Sequence, residues 1–275
     1  MKEMKIGFIG VGNMASSIIG GLVASGMAAN NIWASDPNAD SLAKLKDVAP
    51  VNTGNDNQAL IAQVDVLILA VKPQIMKVVA LDIAASVQAH QPLVITIAAG
   101  VTSGSLATWL GGAPAIVRCM PNTPALVRSG ATGLFANSQV NDSQRQQATA
   151  ILEAVGVALW VEQENQLDAV TAVSGSGPAY FFLVMEAMQA AGQNMGLSED
   201  VAKQLTLQTA LGAAQMAINS DVDAAELRRR VTSPKGTTER AINMLEEGGL
   251  RQLFAQALEG ARIRAEELAI ELEGE

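Results

Sequence analysis

The sequence is poorest in the residues that build covalent and metal-based frameworks. Among its 275 residues there is one cysteine, Cys119, and one histidine, His90. A single thiol excludes an intrachain disulfide, so packing alone must hold the fold, which suits a reducing cytoplasm. Without a Cys/His cluster a tetrahedral metal site has no ligands to draw on, and no metal is expected. His90 stands in an Ala-His-Gln-Pro stretch away from every motif described below. That position reads as surface and argues against histidine acid–base catalysis. Cys119 reads as a buried strand end rather than a nucleophile.

Clustered positive charge is missing too. The formal net charge is -9, and the one basic run, Arg228 to Arg230, sits among helical charges. Nucleic acid is therefore not an expected partner, because phosphate contacts need grouped Lys and Arg. No apolar stretch approaches the ~18 uninterrupted residues of a membrane helix. The apolar runs are broken by Lys72, Pro73, Arg118 or Glu186, and the chain enters a strand-like run, Lys5 to Gly10, without the layout of a signal peptide. A soluble cytoplasmic protein without a membrane partner is expected. What the chain has in quantity is hydrophobic residues, 49% against 16% charged, enough for a sizeable core. At roughly 150 residues per domain its length predicts about two domains.

The first part alternates apolar runs with helical patterns. Strands are predicted over Lys5–Gly10, Asn31–Ser35, Val66–Ala70, Leu93–Ile97, Ala115–Met120, Ala131–Ala136 and Ala158–Val161. Most are continuous apolar runs, as in parallel strands buried on both faces. Helices are predicted between them, over Asn13–Ser25, Asn57–Gln63 and Gln74–Gln88. Such alternation predicts a doubly wound α/β domain over residues 1–162. From residue 163 to 275 only helical patterns follow: Glu164–Ala172, Ser176–Gly192, Ser198–Ser220, Asp223–Arg230, Thr237–Glu246 and Gly249–Leu272. Pro178–Met188 is, apart from Glu186, apolar on every side, which a small helical domain can hardly bury by itself. A second subunit is expected to cover it.

Gly10-Val11-Gly12-Asn13-Met14-Ala15 follows a predicted strand and opens a predicted helix. It reads as G-x-G-x-x-A, a form of the dinucleotide fingerprint of Rossmann domains. Gly10 permits the tight turn, Gly12 lets the backbone approach a pyrophosphate, and Ala15 allows close packing of helix on strand. The helix start supplies free N–H groups and the positive end of the dipole. Asp36, at the end of the next strand, reads equally well as a ligand of the ribose hydroxyls or as a turn residue in Ser35-Asp36-Pro37-Asn38. Later strands end in Ala70-Val71-Lys72-Pro73 and Ile97-Ala98-Ala99-Gly100, at the carboxyl edge where open α/β sheets bind ligands.

Further motifs are Met120-Pro121-Asn122-Thr123-Pro124, Ser174-Gly175-Ser176-Gly177-Pro178-Ala179-Tyr180 and Val231-Thr232-Ser233-Pro234-Lys235-Gly236-Thr237-Thr238. With the glycine loop and Ala70–Gln74, they make the chain resemble the pyrroline-5-carboxylate reductase family from about Lys5 to Arg264. The last motif carries most of that resemblance. The family reduces 1-pyrroline-5-carboxylate to proline with NADPH or NADH, the last step of proline synthesis. The resemblance implies a cofactor on Ile9, Gly10, Val11, Gly12, Asn13, Met14, Asp36, Asn57, Ala70, Val71, Lys72, Pro73, Ala98 and Ala99. It implies a substrate at Ser233, Gly236, Thr237 and Thr238 with Glu164 close by, Thr238 as catalytic residue, and a homodimer that assembles further. Asp36 replaces the small hydroxyl residue often found at that place, and Arg230 also departs from the pattern.

A cyclic imine with a carboxylate needs a hydride donor, a group that holds the nitrogen and a cradle for the carboxylate. The nicotinamide brings the hydride, so the protein mainly binds and orients. Lys235 to Thr238 open a helical pattern whose N–H groups suit a carboxylate, and the Thr238 hydroxyl suits the ring nitrogen. The bland alternative makes Thr237 or Thr238 a helix N-cap. A β-hydroxyacid dehydrogenase would need a lysine after the second glycine-rich turn, yet none occurs between Lys77 and Lys203. A nucleotide sensor without catalysis would have no use for the second anion cradle.

Overall fold

A computed structural model describes residues 4–274, with side chains to Leu272. Short apolar runs in its first part become the strands of one sheet, and the segments between them become the covering helices. In chain order these are β1 (Ile6–Ile9), α1 (Asn13–Ala24), β2 (Ile32–Ser35), α2 (Ala39–Val48), β3 (Asn52–Gly54), α3 (Asn57–Ile61), β4 (Val66–Leu69) and α4 (Pro73–His90). There follow β5 (Leu93–Thr96), α5 (Ser103–Leu110), β6 (Ile116–Met120), β7 (Gly130–Ala136), α6 (Asp142–Glu153) and β8 (Gly156–Trp160). The sheet runs β3-β2-β1-β4-β5-β6-β7-β8. All neighbours are parallel except β6 and β7.

Successive side chains of the central strands go to opposite faces. Phe8 and Ile68 pack with Ile18, Ile19 and Leu22 of α1, whereas Leu67 and Leu69 pack with Met76 and Ile83 of α4. The doubly wound sheet is therefore buried on both sides, as the continuous apolar runs predict. Two features differ from the sequence reading. An eighth strand, β3, was not foreseen because Asn52-Thr53-Gly54 contains no apolar residue. Helices α2, α5 and α6 also lie outside the predicted patterns, although each carries an N-cap that accepts a backbone N–H: Asn38, Thr102 and Asn141.

After β8 the described chain is helical: α7 (Gln166–Val170), a π-turn over Thr171–Gly175, α8 (Gly177–Asn194), α9 (Glu199–Ile218), α10 (Ala224–Arg230), α11 (Thr237–Glu247) and α12 (Leu250–Gly274). Two compact units result. One comprises Met1–Ser176 with Gly260–Glu275, the other Gly177–Glu259. The sequence reading placed its only boundary at 162/163, whereas α7, the π-turn and the second half of α12 join the sheet unit. That return of the chain is invisible to a linear reading. The run Gln166–Asn194 has the length and apolar composition to cross a membrane, and only 22% of its most apolar window is buried.

Within the sheet unit an ionic cluster around two buried charges ties strand to helix. Arg118 of β6 and Asp168 of α7 are both buried. Arg118 Nη1 lies 3.2 Å from Glu164 Oε1, and Arg262 pairs with Glu266 on α12. Burial raises the Asp168 carboxyl above its ordinary range; Arg118 and Arg262 pull it down, while Glu266 and Glu164 push it up. A carboxyl whose folded pKa exceeds its unfolded one contributes stability that is complete below the unfolded pKa and is lost as pH rises through the folded one. Asp168→Asn removes that loss. Its melting temperature, relative to the natural chain, should therefore climb as pH goes from 4 to 7 in scanning calorimetry. A difference constant across that range would contradict the desolvated carboxylate.

Candidate active site

The glycine loop leaves β1 where the chain cannot carry a side chain. Gly10 has φ +92, and a Cβ there would lie 2.9 Å from the carbonyl carbon and oxygen of Ala70. Two residues on, Gly12 is the N-cap of α1 and no side chain caps the helix. A Cβ built on Gly12 meets nothing within 4 Å, so open space lies over the helix start. An uncapped N-terminus facing open space is the arrangement that accepts a phosphate.

The neighbouring strand ends converge on this loop. Ala70 N donates to Ile9 O at 2.8 Å and Ile97 N to Leu69 O at 3.2 Å. Asp36 binds the chain itself: Val11 N donates to its Oδ2 and Asn38 N to its Oδ1, each at 2.8 Å. The carboxylate thus closes a local turn and holds the glycine loop at once. Ser35 Oγ donates to Asn57 Oδ1 at 2.7 Å, which sets Asn57 beside the same edge. Lys72 is exposed and is the N-cap of α4, with Pro73 in the first turn and no capping side chain. Ala98 is buried and Ala99 exposed at the end of β5. A hollow of about 490 Å³ lined by Gln88, Gly112, Pro114 and Gln144 lies at the opposite, N-terminal ends of β5 and β6 and takes no part in this crevice.

Glu164 is held by groups of its own chain. Ser103 N donates to its Oε1 at 2.6 Å, Ser103 Oγ to its Oε2 at 2.5 Å and Arg118 Nη1 to its Oε1 at 3.2 Å. Arg118 and Asp168 entered the sequence reading only as an interruption and as part of a helix. Their signal was nevertheless present: Arg118 is a charge inside an apolar strand, and a charge that must be buried needs a partner. Burial also drives the Cys119 thiol far above its ordinary pKa, so no thiolate nucleophile is on offer.

In the helical unit, Gly236 is the N-cap of α11 and no side chain caps the helix. Thr237 and Thr238 are the first two helical residues and are exposed. Neither is the N-cap, so the bland alternative for them does not hold. Lys235 has φ +61, and its N–H donates to Glu239 Oε2 at 2.7 Å. Gly236 N donates to Ser233 O at 3.0 Å, which folds the loop back to the helix start. Arg230 Nε donates to Glu226 Oε1 at 2.8 Å, one turn back along α10.

A family model described as pyrroline-5-carboxylate reductase dimerisation matches residues 164–268. One described as NADP oxidoreductase, coenzyme F420-dependent, matches residues 5–100. The pyrroline-5-carboxylate reductase of Pasteurella multocida is 45% identical over 98% of both chains. Among solved structures, a Coxiella burnetii pyrroline-5-carboxylate reductase has a TM-score of 0.94 at 47% identity, covering 97% of this chain and 98% of that one. The Plasmodium falciparum pyrroline carboxylate reductase, crystallised with NADP, has a TM-score of 0.86 at 30% identity over 98% and 99%. Since the Pseudomonas aeruginosa pyrroline-5-carboxylate reductase is 54% identical over 99% of both chains, this chain belongs to the pyrroline-5-carboxylate reductase family.

Proposed function

We propose that this chain reduces 1-pyrroline-5-carboxylate to L-proline with NADPH or NADH, the last step of proline biosynthesis, in the cytoplasm. The end-to-end likeness to the Pseudomonas aeruginosa reductase carries this reading. The uncapped start of α1 and the open space over Gly12 fit a dinucleotide pyrophosphate. Ile9 to Met14, the Asp36 turn, Asn57, Ala70 to Pro73 and Ala98–Ala99 are the residues proposed to hold the cofactor. Bound there, the reduced nicotinamide supplies the hydride.

The uncapped start of α11 suits the substrate carboxylate, with Ser233, Gly236 and Thr237 shaping the cradle. Thr238 is proposed to hold the ring nitrogen through its hydroxyl. When the imine is already protonated, hydride addition at carbon leaves a neutral secondary amine, and no further proton has to move. The scarcity of histidine, one in the whole chain, is therefore no obstacle to this chemistry.

The helical unit is incomplete alone. Phe181, Phe182 and Leu183 of α8 are 68%, 63% and 65% exposed, and Leu205, Leu207 and Leu211 extend the apolar surface on α9. Monomers seldom leave such a patch uncovered. The match to a dimerisation family over these residues supports a homodimer joined there, and we propose that such dimers assemble further.

Three outcomes test the reading. Purified protein should form proline from pyrroline-5-carboxylate while NAD(P)H absorbance falls; no proline with either cofactor would refute the activity. Thr238→Ala should lower kcat/KM roughly ten- to a hundredfold, the worth of a hydrogen bond to a charged group, with an unchanged melting temperature. Phe182→Asp should reduce solubility and activity together, because the subunit alone lacks a stable fold. A folded, fully active monomer in nanomolar sedimentation would overturn the dimer.

A further inference from the structure

In Rossmann domains the residue at the end of the second strand meets the adenosine ribose of the dinucleotide. Here β2 ends at Ser35, and Asp36 stands at that place. Resting on the reductase reading above, we infer that Asp36 makes the crevice select NADH over NADPH, by accepting the ribose hydroxyls and repelling a 2′-phosphate. Its direction is fixed, since Val11 N donates to Oδ2 and Asn38 N to Oδ1, each at 2.8 Å. An ionised carboxylate offers about four acceptor positions, so these two bonds leave room for the two ribose hydroxyls. Held at both oxygens, the carboxylate cannot turn away from a 2′-phosphate without breaking one of them.

Neighbouring segments supply nothing to offset that repulsion. Residues 33–43 and 52–71 contain no Lys or Arg, while Asp40 and Asp56 add negative charge. Lys44, the next cation along the chain, comes only in the second turn of α2. Ser35 is 2% exposed and donates its hydroxyl to Asn57 Oδ1 at 2.7 Å, so it is turned inward. Asn38 spends its amide oxygen on Asp40 N at 2.9 Å. The amides of Asn38 and Asn57 are neutral and cannot balance a phosphate of charge about −1.5 to −2. NADH brings no such group to this edge and gains the hydrogen bonds to Asp36. Like charges set side by side suppress the wrong partner more than they alter the right one.

Calorimetric titration without substrate tests the assignment on the natural chain. NADH should bind roughly tenfold more tightly than NADPH, and the ratio should narrow as salt is raised, because screening weakens the repulsion. In steady-state assays kcat/KM should favour NADH by a similar factor. Asp36→Ser should shift that ratio towards NADPH roughly tenfold through the cofactor KM, with kcat within about twofold of the natural value. If Asp36→Ser loosens the glycine loop and weakens both cofactors alike, the natural chain still decides through NADH lacking the adenosine 2′-hydroxyl. Loss of that bond to a carboxylate should raise the dissociation constant roughly ten- to a hundredfold. Equal affinity for NADH and its 2′-deoxy form would overturn the ribose contact, and NADPH binding as tightly as NADH would overturn the selectivity. Failure to form proline with either cofactor would refute the reductase reading alone, since the binding ratios are measured without it.

Discussion

At the head of the sheet two backbones approach too closely for any side chain between them. Gly10 lies against the Ala70 carbonyl at a distance that a methyl group cannot enter. Ala70 N is itself bonded to Ile9 O, so the loop must turn out of the sheet at that point. The start of α1 two residues later inherits its place from this turn, and Asp36 holds the other flank through Val11 N. The N–H groups aimed at open space are thus fixed before any ligand arrives. Preorganisation of this kind removes ordering cost from the binding step.

The same construction explains what could be read in advance. Strands buried on both faces announce themselves as apolar runs, and β1, β4 and β5 were plain for that reason. The edge strand β3 has only one neighbour and a polar sequence, so no pattern marks it. The glycine fingerprint was legible because each of its positions answers a local need of the backbone. Glu164, Arg118 and Ser103 were not legible as a group, because Glu164 lies 46 residues from Arg118 and 61 from Ser103 and meets them only through the topology. The Glu164 side chain is bonded to Ser103 and Arg118 of its own chain. Asp36 was open between two roles, and it performs one of them, closing its turn, while also gripping the glycine loop.

The helical unit illustrates a different limit. A helix apolar on every side tells that something must cover it, but composition does not say whether that is lipid, core or another subunit. The run through α8 satisfies the length and composition of a membrane span. Its inclusion in the residues matched by a dimerisation family favours a protein partner. The capped starts of α9 and α10, at Ser198 and Asp223, contrast with the bare start of α11. At α9 and α10 the sequence supplies a side chain that satisfies the helix end; at α11 it does not.

The return of α12 to the sheet unit governs the order in which the protein can mature during synthesis. All eight strands have left the ribosome once Trp160 has emerged, and most of the sheet's covering helices with them. Leu272, which packs against the cluster around α4 and α5 and meets Gly100, is made more than a hundred residues later. Domains generally fold as units as they emerge. Here the nucleotide-binding half must wait, one flank unsealed, until the helical half has been translated. The nascent chain therefore completes the packing of its sheet unit only when the helical segments before α12 have also been made.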